Sequence, residues 1–339
     1  MTDRVFIAID VMGGDLGLHA ILPACVAAMA RYPSLYLLLC GKSTDILAFI
    51  TPLNLSAQLH DRFKIIEAAT VVAMSETPKF AVRHRRNSSM YLALSQVAQG
   101  NAQACVSAGN TGALMAMSCL LIKTIEGISR PAIVANMPTV KGQCTLLDLG
   151  ANINCKAENL FQFAIMGSAL VKGMFGVAQP KIGLLNIGSE AKKGLVQVIE
   201  AAEMLQSRKD LNYTGFIEGD DVFSGKADVV VCDGFAGNVL LKTSEGLAKF
   251  INLKVARDLK KSIFRRVLTW FAAPILKEIR QQLDPARRNG AVLLGLRAVV
   301  VKSHGSANQQ GFGCAIDQAI KAVECELPKM IKETMHPLN

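Results

Sequence analysis

The sequence has few aromatic residues, 6% in all with a single Trp. It therefore lacks the platform on which unpaired bases stack, and no nucleic-acid partner is expected. Its nine cysteines form no CxxC pair and no Cys/His group at zinc spacing. That excludes a zinc ribbon or a disulfide framework and fits thiols used as small core residues in a reducing compartment. No apolar run reaches the ~18 uncharged residues of a spanning helix, and the opening Met-Thr-Asp-Arg carries no secretory pattern. A cytoplasmic protein is expected. GxGxxG and Walker A loops are missing, so a tightly held NAD or ATP is not signalled. HExxH, GxSxG and a loop Cys beside a His are missing too, which argues against metalloprotease, serine-esterase and cysteine-nucleophile chemistry.

What is present is apolar and basic: 339 residues, 51% hydrophobic, with a net charge of +10. The length allows one large α/β domain over 1–339. Short apolar runs at 5–9, 35–39, 63–66, 102–106, 132–135, 144–149, 181–185, 213–217, 229–232 and 298–302 read as strands. Helical stretches fall between most of them, and Asn87-Ser88-Ser89 caps one that runs to Gln99. This alternation predicts a doubly wound, mostly parallel sheet in an α/β/α sandwich.

Small, polar loops recur where the strands end. They are Asp10-Val11-Met12-Gly13-Gly14-Asp15, Ser107-Ala108-Gly109-Asn110-Thr111-Gly112-Ala113, Asp148-Leu149-Gly150-Ala151-Asn152, Asn186-Ile187-Gly188 with Lys193-Gly194, Asp233-Gly234-Phe235-Ala236-Gly237-Asn238, and Ser303-His304-Gly305. Open α/β sheets bind ligands outside the carboxyl ends of their strands. A helix that starts in such a loop turns free N–H groups and its positive dipole end toward an anion. The expectation is one carboxyl edge and one common cleft. Ser107, Gly109, Asn110 and Thr111, with Gly188, Gly234 and Asn238, would cradle the anion. Lys193 would supply a point charge, and His304 or Asn152 would orient groups or move a proton. Asp10, Asp15, Asp148, Asp220, Asp221 and Asp233 could hold Mg²⁺ or bond backbone N–H groups and fix loops. The second reading is preferred, and no metal site is assigned.

Residues 249–280 carry nine Lys/Arg against Asp258 and Glu278. Leu247, Ile251, Val255, Leu259 and Ile263 recur every four residues, followed by Phe264, Arg265, Arg266, Trp270 and Phe271. Segment 246–284 is read as a protruding, basic amphipathic helical hairpin that contacts anionic lipid or an acidic partner. A hairpin packed in a dimer is the alternative. Arg83, Arg85 and Arg86 form a second basic cluster.

Taken together, the loop motifs, with Gly290 to Gly295 added, resemble the PlsX family over nearly the whole chain. These are phosphate acyltransferases of bacterial phospholipid synthesis. The resemblance implies transfer of a fatty acyl group from acyl carrier protein to inorganic phosphate, giving acyl phosphate. It also implies an isocitrate/isopropylmalate dehydrogenase-like fold akin to the phosphotransacetylases, a homodimer, and delivery of product to the membrane acyltransferase PlsY at the inner face of the membrane. A catalytic role is implied for Lys193. A thioester and an acyl phosphate are both activated, so no cofactor is expected. The rival readings are a metal- and NAD-dependent hydroxy-acid dehydrogenase on the similar fold, and a non-catalytic carrier- or lipid-surface scaffold.

Overall fold

The computed structural model describes residues 4–259 and 285–335. Eleven strands form one continuous sheet: β1 Val5–Asp10, β2 Leu35–Gly41, β3 Phe63–Glu67, β4 Ala104–Ser107, β5 Ala132–Thr139, β6 Gly142–Leu147, β7 Lys181–Leu185, β8 Asn212–Ile217, β9 Val229–Val231, β10 Ala291–Leu294 and β11 Val299–Lys302. The helices are α1 Leu18–Arg31, α2 Ser43–Ile50, α3 Ala57–His60, α4 Pro78–His84, α5 Ser89–Ala98, α6 Thr111–Leu121, α7 Ala157–Phe175, α8 Val196–Ser207, α9 Gly234–Leu259, α10 Gln309–Glu324 and α11 Leu327–Met335.

Apolar side chains alternate across the strands and feed two cores. Ile7, Ile9 and Val106 face one core, with Phe163 of α7 and Phe312 of α10. Ala8 and Cys105 face the other, with Leu94 of α5 and Leu114 of α6. Strands buried on both faces require helices on both, and this produces the expected sandwich. Ser88 caps α5 by accepting from the Tyr91 N–H at 3.2 Å, at the cap read from the sequence.

The strand order is β3-β2-β1-β4-β11-β10-β5-β6-β9-β7-β8. β1 is parallel to β2 and β4, and β4 to β11. β10 runs antiparallel to both β11 and β5, and β5 antiparallel to β6. From β6 onward β9, β7 and β8 are parallel to one another. The sheet therefore holds two parallel blocks of opposite sense, and the single carboxyl edge expected from the sequence is corrected to two. The cause is local. Thr139 pairs with Gly142, so β5 and β6 form a tight hairpin, and a connection that short can only join antiparallel strands. β10, which the strand pattern did not predict, runs antiparallel to both β11 and β5, so its two reversals cancel and the β5–β6 hairpin sets the opposite sense.

Candidate active site

The first edge collects the loops after β1, β4 and β11. Asp10, Ser107 and Lys302 end these adjacent strands and lie opposite one another in register. Asp10 is buried and accepts from Ser89 Oγ at 2.5 Å and Ser107 Oγ at 2.6 Å. Ser107 Oγ in turn accepts the Gly109 N–H at 3.0 Å. Burial raises the Asp10 carboxyl above its usual range, against the opposing hydrogen bonds from Ser107, Ser89 and the Met12 backbone and the attraction of Lys302. Lys302 Nζ, also buried, donates to Ala108 O at 3.3 Å and to Ser303 O. Burial pushes this ammonium down to about 8, with Asp10 and Asp15 opposing. Both shifts favour the neutral forms, so desolvation outweighs attraction here.

Gly14 joins the three loops. Its φ of 82° suits glycine, and a Cβ would meet Gly305 O at 2.8 Å and Ala108 Cβ at 2.9 Å. Asp15 N–H donates to Gly305 O at 2.8 Å. His304 is fixed through its own N–H, which donates to Asn289 Oδ1 at 2.8 Å; Asn289 also donates to Ser303 Oγ at 2.7 Å. His304 Nδ1 lies 2.9 Å from Ser306 Oγ and 3.3 Å from Ser306 N; in the tautomer in which Nδ1 accepts from both, the neutral ring carries its proton on Nε2. Burial and then Lys242 hold His304 below the usual imidazole value, with smaller pushes from Lys302 and Lys249 and opposition from Glu245. The ring is therefore neutral at neutral pH, with one nitrogen a donor and the other an acceptor.

Asn110 is the N-cap of α6 and its side chain is fully engaged. Oδ1 accepts the Ala113 N–H at 3.0 Å, while Nδ2 donates to Ala73 O, Met74 O and Glu76 O at 3.4, 2.8 and 2.9 Å. The side chains of Ser107 and Asn110 thus shape the loop rather than face a ligand. What the loop can offer an anion is the first-turn N–H groups beside the exposed Thr111.

The second edge carries Asn152, Gly188, Lys193, Gly234 and Asn238. Asp148, buried at the end of β6, accepts from the N–H groups of Ile133, Ala151 and Asn152 at 2.8, 3.2 and 2.6 Å, and from Asn152 Nδ2 at 3.0 Å. Burial raises its carboxyl, against those hydrogen bonds. Gly234 opens α9 close beneath this turn; a Cβ there would lie 2.8 Å from Asn152 O. Asn238, exposed, faces Gly150. Asn152 also lines a cleft of about 470 Å³ with Lys123 and Arg130 at its rim. Lys193 is exposed and pairs with Glu190 at 3.4 Å; Asn186 Nδ2 holds the Lys193 carbonyl at 2.7 Å.

Among the described residues no hydrogen bond or ion pair joins 107–113 to 186–194. Asp10 and Asp148 hold loops, and among the described residues no group of three His, Cys, Asp or Glu could hold a metal ion. Arg83 and Arg86 are exposed, whereas Arg85 is bound to Glu76. Phe264, Arg265, Arg266, Trp270 and Phe271 lie outside the described residues. Sequence reasoning missed Lys302 and Asn289. The only signal for Lys302 is a Lys ending the apolar run Val299-Val300-Val301 directly before the His304 loop.

Comparison with known proteins gives a consistent picture. A family model described as fatty acid synthesis protein matches residues 5–330. A phosphate acyltransferase of Pseudomonas putida (strain F1) is 50% identical over 98% of both chains. One of Legionella pneumophila (strain Corby) is 47% identical over 98% of this chain and 97% of its own. Among solved structures, a phosphotransacetylase from Streptococcus pyogenes superposes with a TM-score of 0.62 at 21% identity, covering 95% of this chain and 94% of that one. That likeness shows the fold: a mostly parallel α/β sheet flanked by helices. Sequence and fold together place the chain in the PlsX family of phosphate acyltransferases.

Proposed function

We propose that the acyl donor is an acyl carrier protein thioester and that phosphate is held at the first edge. The observation that carries this reading is the joining of three strand-end loops, 10–15, 107–113 and 303–308, around the start of α6, with His304 Nε2–H as a further donor. A phosphate oxygen attacks the thioester carbonyl. The carbonyl oxygen becomes an oxyanion, the intermediate collapses, the C–S bond breaks, and the carrier thiolate leaves to take up a proton. The products are acyl phosphate and free carrier thiol. Phosphate brings its own nucleophile, so the protein's part is positioning and charge stabilisation.

Lys193, Asn152, Gly188, Gly234 and Asn238 stand on the other edge. Strand twist of about 20–25° per pair accumulates to about 120–150° over the six steps from β4 to β7, which turns the reversed block back toward the first. This supports placing Lys193 and Asn152 on the wall that meets the thioester, where the ammonium offsets developing charge. In this reading Arg83 and Arg86 dock the acidic carrier. Segment 246–284, of which 260–284 lie outside the described residues, brings the enzyme to the inner membrane surface and to PlsY, and a homodimer in the isocitrate/isopropylmalate dehydrogenase-like arrangement is the working form. The exposed Leu247, Phe250, Ile251 and Leu253 of α9 support such a contact. Among the described residues, no helix is long and apolar enough to cross a membrane.

The test is phosphate-dependent release of carrier thiol from acyl carrier protein thioester, without metal or nucleotide. His304→Ala is expected to lower turnover about 100- to 1,000-fold, as loss of an oxyanion donor does. Near-normal phosphate kinetics in that variant would remove phosphate from the first edge.

A further inference from the structure

Lys302 is the only buried Lys or Arg among the described residues, and the reaction as written does not use it. Among the described residues no ion pair neutralises it, although Asp10 and Asp15 attract it from a distance. An ammonium buried in that way is costly. Its two hydrogen bonds are to the backbone of different loops: Ala108 O, two residues before the cap of α6, and Ser303 O, one residue before His304. Asp10 ties the same row from the other side through Ser107 and Ser89.

We propose that Lys302 is a positioning residue for phosphate: it clamps the Ala108 and Ser303 carbonyls, which sets the gap between the first turn of α6 and His304 to the size of one tetrahedral oxyanion, and its charge strengthens the hold on that anion from below. The inference rests on the placement of phosphate at the first edge. The groups that face Lys302 are Asp10 from β1, Asp15 from the loop after β1 and His304 from its own loop; Lys242, Glu245 and Lys249 of α9 act on His304 behind it. Lys302 is charged below its pKa of about 8 and neutral above it. The hold on phosphate is therefore lost as pH rises through that value. Phosphate only gains negative charge over the same range, so its own ionisation pulls the other way.

The experiment measures thiol release against phosphate concentration at several pH values for the native enzyme, Lys302→Met, Lys302→Arg and His304→Ala. In the native enzyme kcat/KM for phosphate is expected to fall on the alkaline side of about 8. Lys302→Met should raise the KM for phosphate about tenfold or more at neutral pH, the size of a lost charged hydrogen bond. It should leave the KM for the thioester unchanged and flatten the alkaline limb. Lys302→Arg, which stays charged, should recover part of the phosphate affinity and carry the limb to higher pH. A folded Lys302→Met with native phosphate KM, or one that keeps the alkaline limb, overturns the proposal. If Lys302→Met does not fold, thermal protection of the native enzyme by inorganic phosphate decides: it must weaken from neutral to alkaline pH, and protection that holds or grows overturns the inference. When His304→Ala also leaves phosphate KM untouched, the placement at the first edge falls. When His304→Ala raises it and Lys302→Met does not, only the role of Lys302 falls.

Discussion

The two edges of the sheet solve the same problem with different chemistry. Each buries an aspartate where a strand ends. At the second edge Asp148 is satisfied by three backbone N–H groups and an amide, with Lys193, Lys123 and Arg130 all at the surface. At the first edge Asp10 is satisfied chiefly by two hydroxyls, with one backbone N–H from Met12, and a lysine is buried in the same row. A carboxylate surrounded by amides makes a stiff turn that needs nothing more. A carboxylate beside a buried ammonium and a half-engaged histidine leaves charge and donors available, and that is the edge suited to an anion.

The sharpest way to break this contrast is Asp148→Ala. Four donors would lose their acceptor, at about 1–3 kcal/mol each for buried groups. Chemical denaturation should show a loss of more than about 3 kcal/mol, or no folded protein; a loss under about 1 kcal/mol would mean that the second edge does not depend on its aspartate. Next in size is Lys193→Met. The side chain is exposed, so the variant should keep its melting temperature, while acyl phosphate formation should fall about 100-fold or more if the ammonium offsets charge in the intermediate. Turnover close to native would confine the chemistry to the first edge. The smallest effect concerns docking. Arg83→Glu with Arg86→Glu should raise the KM for carrier thioester severalfold at low salt. The difference should shrink as salt rises, because exposed charges are screened over about 8 Å at physiological ionic strength. A response that does not depend on salt would rule out these arginines as the dock.

Local structure was legible because it follows local pattern. Lys181–Leu185 was read to the residue, and the cap at Ser88 came from residue type alone. Sheet polarity was not legible. It turns on whether the segments at Ala132–Thr139 and Gly142–Leu147 pair with each other, and two apolar runs joined by Val140-Lys141 carry no Asn-Gly or Asp-Gly signal for a hairpin. The site was half legible for a related reason. Loop composition marked Ser107, Asn110, Asp10 and His304, and the structure places them together at one strand-end edge. Composition could not show that Asn110 spends every hydrogen bond on the chain itself, or that Lys302 lies inside, since both depend on partners far away in sequence, at Met74 and at Ala108.

The middle of the sheet is built from the latest strands in the chain. β11, which slots between β4 and β10, meets a neighbour made nearly two hundred residues earlier. Until this strand is synthesised, β4 lacks its neighbour on that side. The strand-end loop after β4 lacks one of its partners before then, because the backbone of Ser107 waits for the amide of Ser303. Folding of such a non-local arrangement is slow by nature, and the enzyme is dormant until its keystone is in place.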